Sequence, residues 1–168
     1  MGLPITLSEI APRISAGAFI LNSGLGKRGA DAEAAASLHG FAAGTYPFLK
    51  SIPPQQFARG LATAEMVVGA VLLTPFVPTA VAGAALTAFS GGLLGLYLRT
   101  PGMRKPGSLA PTEQGLTLAK DIWLLGIGIG LFTQGTIDRK PRVTVNKANK
   151  LARKHAQRAA KDARRAAR

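Results

Sequence analysis

The stretch AVAGAALTAFSGGLLGLYL, Ala80 to Leu98, carries no charge on any face, and its polar groups are Thr87, Ser90 and Tyr97. A helix on the surface of a water-soluble domain shows a polar face at a period near 3.6 residues. This segment has no such face. It is also close to the length needed to cross a hydrocarbon core of ~30 Å at 1.5 Å per residue. The rival reading, a helix of a soluble bundle, leaves the segment without a wet side, so a membrane span is the expectation.

Three more apolar segments flank it: Ile10–Leu25, Leu61–Val77 and Leu116–Phe132. The predicted spans cover about 10–27, 60–77, 79–98 and 115–134. TPFVP, with Pro75 and Pro78, separates the second from the third, and a turn that tight makes them antiparallel neighbours. RTPGMRKPGSLAPTEQG separates the third from the fourth and reads as a loop. The expected fold is all-α: an integral membrane four-helix bundle over residues 1–138, followed by a basic, partly helical tail over 139–168. The amino-terminal MGLPITLSEIAPR lacks a basic region before the first apolar run, so no cleavable signal peptide is expected and the first span stays in the mature chain.

Small residues let helix backbones approach closely in lipid, where packing rather than the hydrophobic effect holds helices together. Gly91-x-x-x-Gly95 and Gly126-x-x-x-Gly130 are candidate packing faces, with Gly17, Gly24 and Gly69 in the first two spans. The string GIGIG looks like part of a nucleotide-binding fingerprint, but that motif needs a strand before it and a helix after it. Here it lies inside an apolar helix candidate, and packing is the simpler reading.

Charge is unevenly placed. Residues 139–168 hold twelve Lys and Arg against one acid, Asp162, which accounts for +11 of the net +13. By the positive-inside tendency this tail stays in the cytoplasm, and four spans then bring the amino terminus to the same side. Lys50, Arg99, Arg104 and Lys105 on the opposite side argue the other way, but the tail's excess is larger. The tail is rich in Ala and Arg, good helix formers, yet Leu151 is its one large apolar residue within NKANKLARKHAQRAAKDARRAAR, so it cannot bury a core. Arg153, Lys154, Arg158, Lys161, Arg164 and Arg165 are the candidate contacts to anionic lipid, at about 1 kcal/mol for each cation near the surface. A plain topology signal is the bland alternative. Nucleic acid is the other, and the absence of interleaved aromatic residues argues against it.

The connection Gly29–Phe57 is too apolar for a disordered linker. Asp31 to Leu38 reads as a helix start, with Asp31 as a candidate N-cap. Phe41, Tyr46, Phe48 and Phe57 favour a membrane–water boundary, so a short helix or re-entrant cap over the outer end of the bundle is expected. His39 has no companion at ligand spacing, so a structural role is favoured and no metal site is predicted. With no cysteine the chain has no disulfide, thiol nucleophile or Cys-ligated metal.

A charge at mid-bilayer costs roughly 2.5–3.5 kcal/mol on insertion scales, so such groups pair, face the bundle interior or snorkel. Span directions place Lys27, Glu65 and Asp121 in one layer near the outer surface, with Glu65 about one turn deep, and place Arg13 at the inner end. Lys27–Glu65 is the expected pair, and Lys120 is the second candidate partner for either acid. The bland reading is a pair that fixes helix register. The sharper one is an ionisable pocket for a quinone head group, a proton or a small polar ligand.

Arg13, Gly17, Phe19, Gly24 and Lys27 stand as R-x3-G-x-F-x4-G-x2-K; Ala64, Glu65 and Gly69 as A-E-x3-G; and Lys120-Asp121 opens the fourth span. In order and spacing over Ile10–Phe132 this resembles the DoxX family of small four-helix bacterial membrane proteins, although Phe19 falls nearer the glycine than the family's usual aromatic. The resemblance implies a multi-pass protein of the bacterial cytoplasmic (inner) membrane with both termini in the cytoplasm. It also implies an association with membrane redox chemistry, including quinone-linked sulfur oxidation and complexes with redox enzymes. Lacking cysteine and a haem-like histidine pair in its spans, this chain holds no cofactor of its own, and a quinone is the candidate ligand. The leading expectation is an accessory subunit that docks redox or respiratory partner proteins. A quinone-linked oxidoreductase subunit, a small proton-coupled transporter using Glu65 and a soluble nucleic-acid binder are the alternatives.

Overall fold

The structure, a computed structural model, describes residues 5–137, 150, 153–155 and 157. Most of the basic tail, with Arg158, Lys161, Arg164 and Arg165, therefore lies outside the described residues. Arg153 and Lys154 are helical and exposed.

The described chain is all-helical: α1 Leu7–Lys27, α2 Ala32–Thr45, a 3-10 turn Pro47–Ser51, α3 Pro54–Leu73, α4 Thr79–Arg99, α5 Leu116–Ala119 and α6 Ile122–Ile137. Two close pairs dominate, α1 with α3 and α4 with α6. A core of Ala16, Ile20, Val68, Leu72, Ala82, Leu86 and Leu131 joins the two pairs, with its α3 and α4 members toward the turn between those helices. Gln134 Nε2 donates to Ser8 Oγ at 3.1 Å, so the start of α1 and the end of α6 lie at the same end of the molecule.

Three helices are long and apolar enough to cross a membrane: Pro54–Leu73, Thr79–Arg99 and Leu116–Ile137. The first predicted span is the exception. α1 is helical over 21 residues but falls outside that set, because Glu9 and Arg13 dilute its apolar character. Leu116–Ile137 has only 11% of its most apolar window buried. Trp123, Ile122, Phe132 and Ile137 are all exposed on it. A helix that is apolar all round needs either a protein core or lipid around it, and this one lacks the core.

Two boundaries differ from those expected. The sequence pattern puts the second span at 60–77, but α3 runs from Pro54 to Leu73. A proline at the first helical position has no intrahelical N–H bond to lose, so Pro53-Pro54 starts the helix instead of breaking the chain. At the other end Thr74 and Pro75 stop it. Glu65 consequently lies eleven residues into α3, roughly 16 Å along its axis, midway rather than one turn deep. The fourth span is interrupted at Lys120–Asp121, between α5 and α6.

The connection before α3 forms the expected short helix. Asp31 caps α2 by accepting from the N–H of Ala34 at 2.8 Å. α2 packs on α3 and reaches α4, where the Tyr46 hydroxyl donates to the Gly92 carbonyl at 2.9 Å. His39 Nε2 lies 2.9 Å from the Leu49 carbonyl oxygen and edge-on to Phe57. That fastens the 3-10 turn to α2.

The glycines divide by register. A Cβ on Gly17, Gly24 or Gly69 would stand about 3 Å or less from the facing helix, so these three let α1 and α3 touch. Gly95 is closed by the Tyr46 hydroxyl. Gly91, Gly126 and Gly130 meet nothing within 4 Å among the described residues, which corrects their assignment to packing faces. The α4–α6 contact runs instead through Gly83, Gly128 and Gly135, each against backbone of the opposite helix. In GIGIG, a step of two residues turns a helix by about 200°, so Gly128 faces inward and its two neighbours outward.

Candidate functional site

A chamber of about 360 Å³ lies where α1, α2, α3, α4 and the α5–α6 break converge. Its wall is mostly apolar and includes Phe19, Phe41, Phe57 and Phe89. Three ionisable residues also line it: Lys27, Glu65 and Asp121.

Each arrives for a local reason. Lys27 is the last residue of α1, where its charge complements the helix dipole. Its Nζ donates to Glu65 Oε2 at 3.0 Å and to Ser23 Oγ at 2.6 Å. Glu65 is buried at mid-α3, and this ion pair is the one found among the described residues. Asp121 sits at the break between α5 and α6, where Lys120 and Asp121 form a turn between the helices. The turn sets Asp121 into the chamber wall while Lys120 is exposed and does not line the chamber. The expectation of Lys120 as a partner for either acid is therefore corrected.

In chemical terms the chamber offers one ammonium with a third N–H beyond its two recorded bonds and one carboxylate, Asp121, outside the pair. Together they can donate to one ligand oxygen and accept from another. A chamber of this size, apolar with few polar groups, is what small-molecule sites generally present.

Arg13 lies elsewhere, buried at the opposite end of the α1–α3 pair. Nε donates to the Leu72 carbonyl at 2.8 Å. Nη2 donates to Thr74 at 2.7 Å and Val71 at 3.2 Å, and Nη1 donates to Val77 at 3.1 Å. Val71 and Leu72 belong to the last turn of α3, where helix geometry leaves acceptors without an intrahelical partner. Thr74 and Val77 belong to the turn after it, and the Thr74 carbonyl also accepts from the Val77 N–H at 3.2 Å. Nη1 also approaches Thr79 Oγ1 at 3.4 Å, and that hydroxyl donates to Glu9 Oε2 at 2.9 Å. Glu9 is not among the candidate residues above, although Thr6-x-x-Glu9 has the spacing of a capping box, and the Thr6 N–H does donate to Glu9 Oε2 at 2.8 Å.

Comparison with models of protein families, with curated proteins and with solved structures finds no match. The reading of the chamber therefore rests on its own geometry. Among the described residues no cluster of His, Cys, Asp and Glu could hold a metal ion.

Proposed function

We propose that the chain is a multi-pass protein of the bacterial cytoplasmic membrane, DoxX-like, with four membrane helices and both termini in the cytoplasm. In this reading it is an accessory subunit that docks a redox or respiratory enzyme, and its chamber receives a quinone head group. The observation that carries the proposal is the chamber itself: aromatic walls with the Lys27–Glu65 pair and Asp121 set into them. Lys27 would donate to one quinone carbonyl. Asp121 would accept from the hydroxyl that forms when the quinone is reduced. Glu65 would hold the Lys27 ammonium in position. The two electrons come from the docked enzyme and the two protons from water, and this chain supplies position and charge.

The test is a titration of a short-chain quinone against the purified full chain in mild detergent, alongside Glu65→Gln and Asp121→Asn. Saturable binding, weakened about tenfold or more by either change, supports the reading. Equal, non-saturable uptake by all three proteins removes the chamber from it. Co-purification of a redox enzyme tests the docking role separately.

A further inference from the structure

The loop between α4 and α5 folds back on itself. The Lys105 N–H donates to the Ala110 carbonyl at 2.9 Å and the Thr112 N–H to the Met103 carbonyl at 3.0 Å. The Tyr97 hydroxyl ties Leu109 down at 2.6 Å. Gly102 and Gly107 take left-handed backbone angles, φ +84° and +68°, that side-chain-bearing residues rarely adopt. The folded loop encloses an open hollow of about 570 Å³.

Three cations line this hollow, Arg99, Arg104 and Lys105, with the hydroxyls of Thr100 and Ser108. No carboxylate lines it, and among the described residues none of the three cations forms an ion pair. Arg104 Nη2 donates to the Leu98 carbonyl at 2.8 Å, which complements the end of α4. A helix terminus presents only about half a negative charge, so one cation answers it and the positive surplus remains. The surplus is notable because residues 1–138 carry a net charge of only +2. It also collects at the end of the molecule opposite the end of α6.

The level of the hollow points to its occupant. It begins where α4, long and apolar enough to cross a membrane, ends. Leu109 lines the hollow beside the cations and is 71% exposed. We infer that the Leu98–Leu109 hollow binds the phosphate of an anionic phospholipid, with Arg99 and Lys105 as its principal contacts. This rests on reading α4 as a membrane span.

The experiment uses the full chain purified in mild detergent and offered equimolar phosphatidylglycerol and phosphatidylcholine, with retained lipid counted by native mass spectrometry. The variant is Arg99→Gln with Lys105→Gln. Arg104, which caps α4, and the tail stay intact. The wild type is expected to retain phosphatidylglycerol preferentially, and the variant to lose about tenfold of that preference at an unchanged melting temperature. Equal preference in both proteins overturns the proposal. So does a wild type that retains no lipid but binds inorganic phosphate at millimolar concentration, since the ligand is then a soluble anion. Release of the protein from membranes by alkaline carbonate is a separate result and sinks the span reading itself.

Discussion

Arg13 and Leu72 are 59 residues apart in sequence and 2.8 Å apart in space, joined by a hydrogen bond from Nε to the backbone carbonyl. The same guanidinium holds Val71, Thr74 and Val77, so one side chain of α1 closes the end of α3 and the turn that leads to α4. Arg13→Lys cannot reproduce the planar fork and leaves some of these carbonyls unpaired, at about 1–3 kcal/mol for each one that stays buried. Arg13→Lys should therefore lower stability by about 2 kcal/mol and Arg13→Met by more. Denaturant unfolding in detergent, followed by circular dichroism, measures both. An Arg13→Met protein as stable as the wild type would show that water replaces the clamp.

The Lys27–Glu65 pair should behave as a unit. Glu65 is buried and Lys27 half-buried, so removing Lys27 leaves a buried carboxylate uncompensated, whereas replacing both can be nearly neutral. Lys27→Met alone and Glu65→Leu alone should each reduce accumulation in the membrane and lower the melting temperature, and the double variant should recover most of the loss. A coupling of about 1–3 kcal/mol in the double-mutant cycle is expected. Strict additivity would mean that the two groups do not depend on each other.

The two glycine registers predict opposite outcomes for one chemical change. Gly83→Ala and Gly128→Ala place a methyl against backbone of the opposing helix and should loosen the α4–α6 pair. Overpacking of this kind typically costs about 1–3 kcal/mol. Gly126→Ala and Gly130→Ala meet open space and should be neutral or stabilise the helix by up to ~1 kcal/mol. Thermal melts of the four proteins check this, and equal effects in both registers would overturn the observed packing.

Leu93, on α4, lines the chamber and takes no part in the ion pair. Leu93→Trp should fill much of the chamber, leave Lys27–Glu65 intact and reduce quinone binding about tenfold or more. A melting temperature near the wild type's confirms that the protein is still folded. Undiminished binding would place the ligand elsewhere.

Much of this arrangement can be read in the sequence, because it depends on local chemistry. The uncharged run Ala80–Leu98 reads as a helix without a wet face, and Asp31 reads as a cap. Lys27 and Glu65 are legible as a pair because an isolated charge among apolar residues needs a partner. The unreadable parts depend on how helices meet. GIGIG offers glycines on both sides of α6, and nothing within α6 says which side faces α4. Pro53-Pro54 looks like an interruption until the first turn of α3 is built on it. Lys120 and Asp121 are adjacent and look interchangeable, but the helix break turns one into the chamber and the other away. Arg13 looks like a charge stranded at a span's end. Its acceptors are backbone carbonyls, which carry no mark in the sequence.

Phe19 lines the chamber and is itself 64% exposed, so the site is bounded there by an exposed ring and not by buried core. If lipid lies against that ring, a ligand that dissolves in lipid reaches the site sideways without passing through water. Occupancy then follows mole fraction in the bilayer rather than aqueous concentration. A weak intrinsic affinity can still keep the site filled, because partitioning enriches the ligand before it binds. Shortening a ligand's hydrocarbon tail would lower occupancy even if every contact to its head group stayed the same.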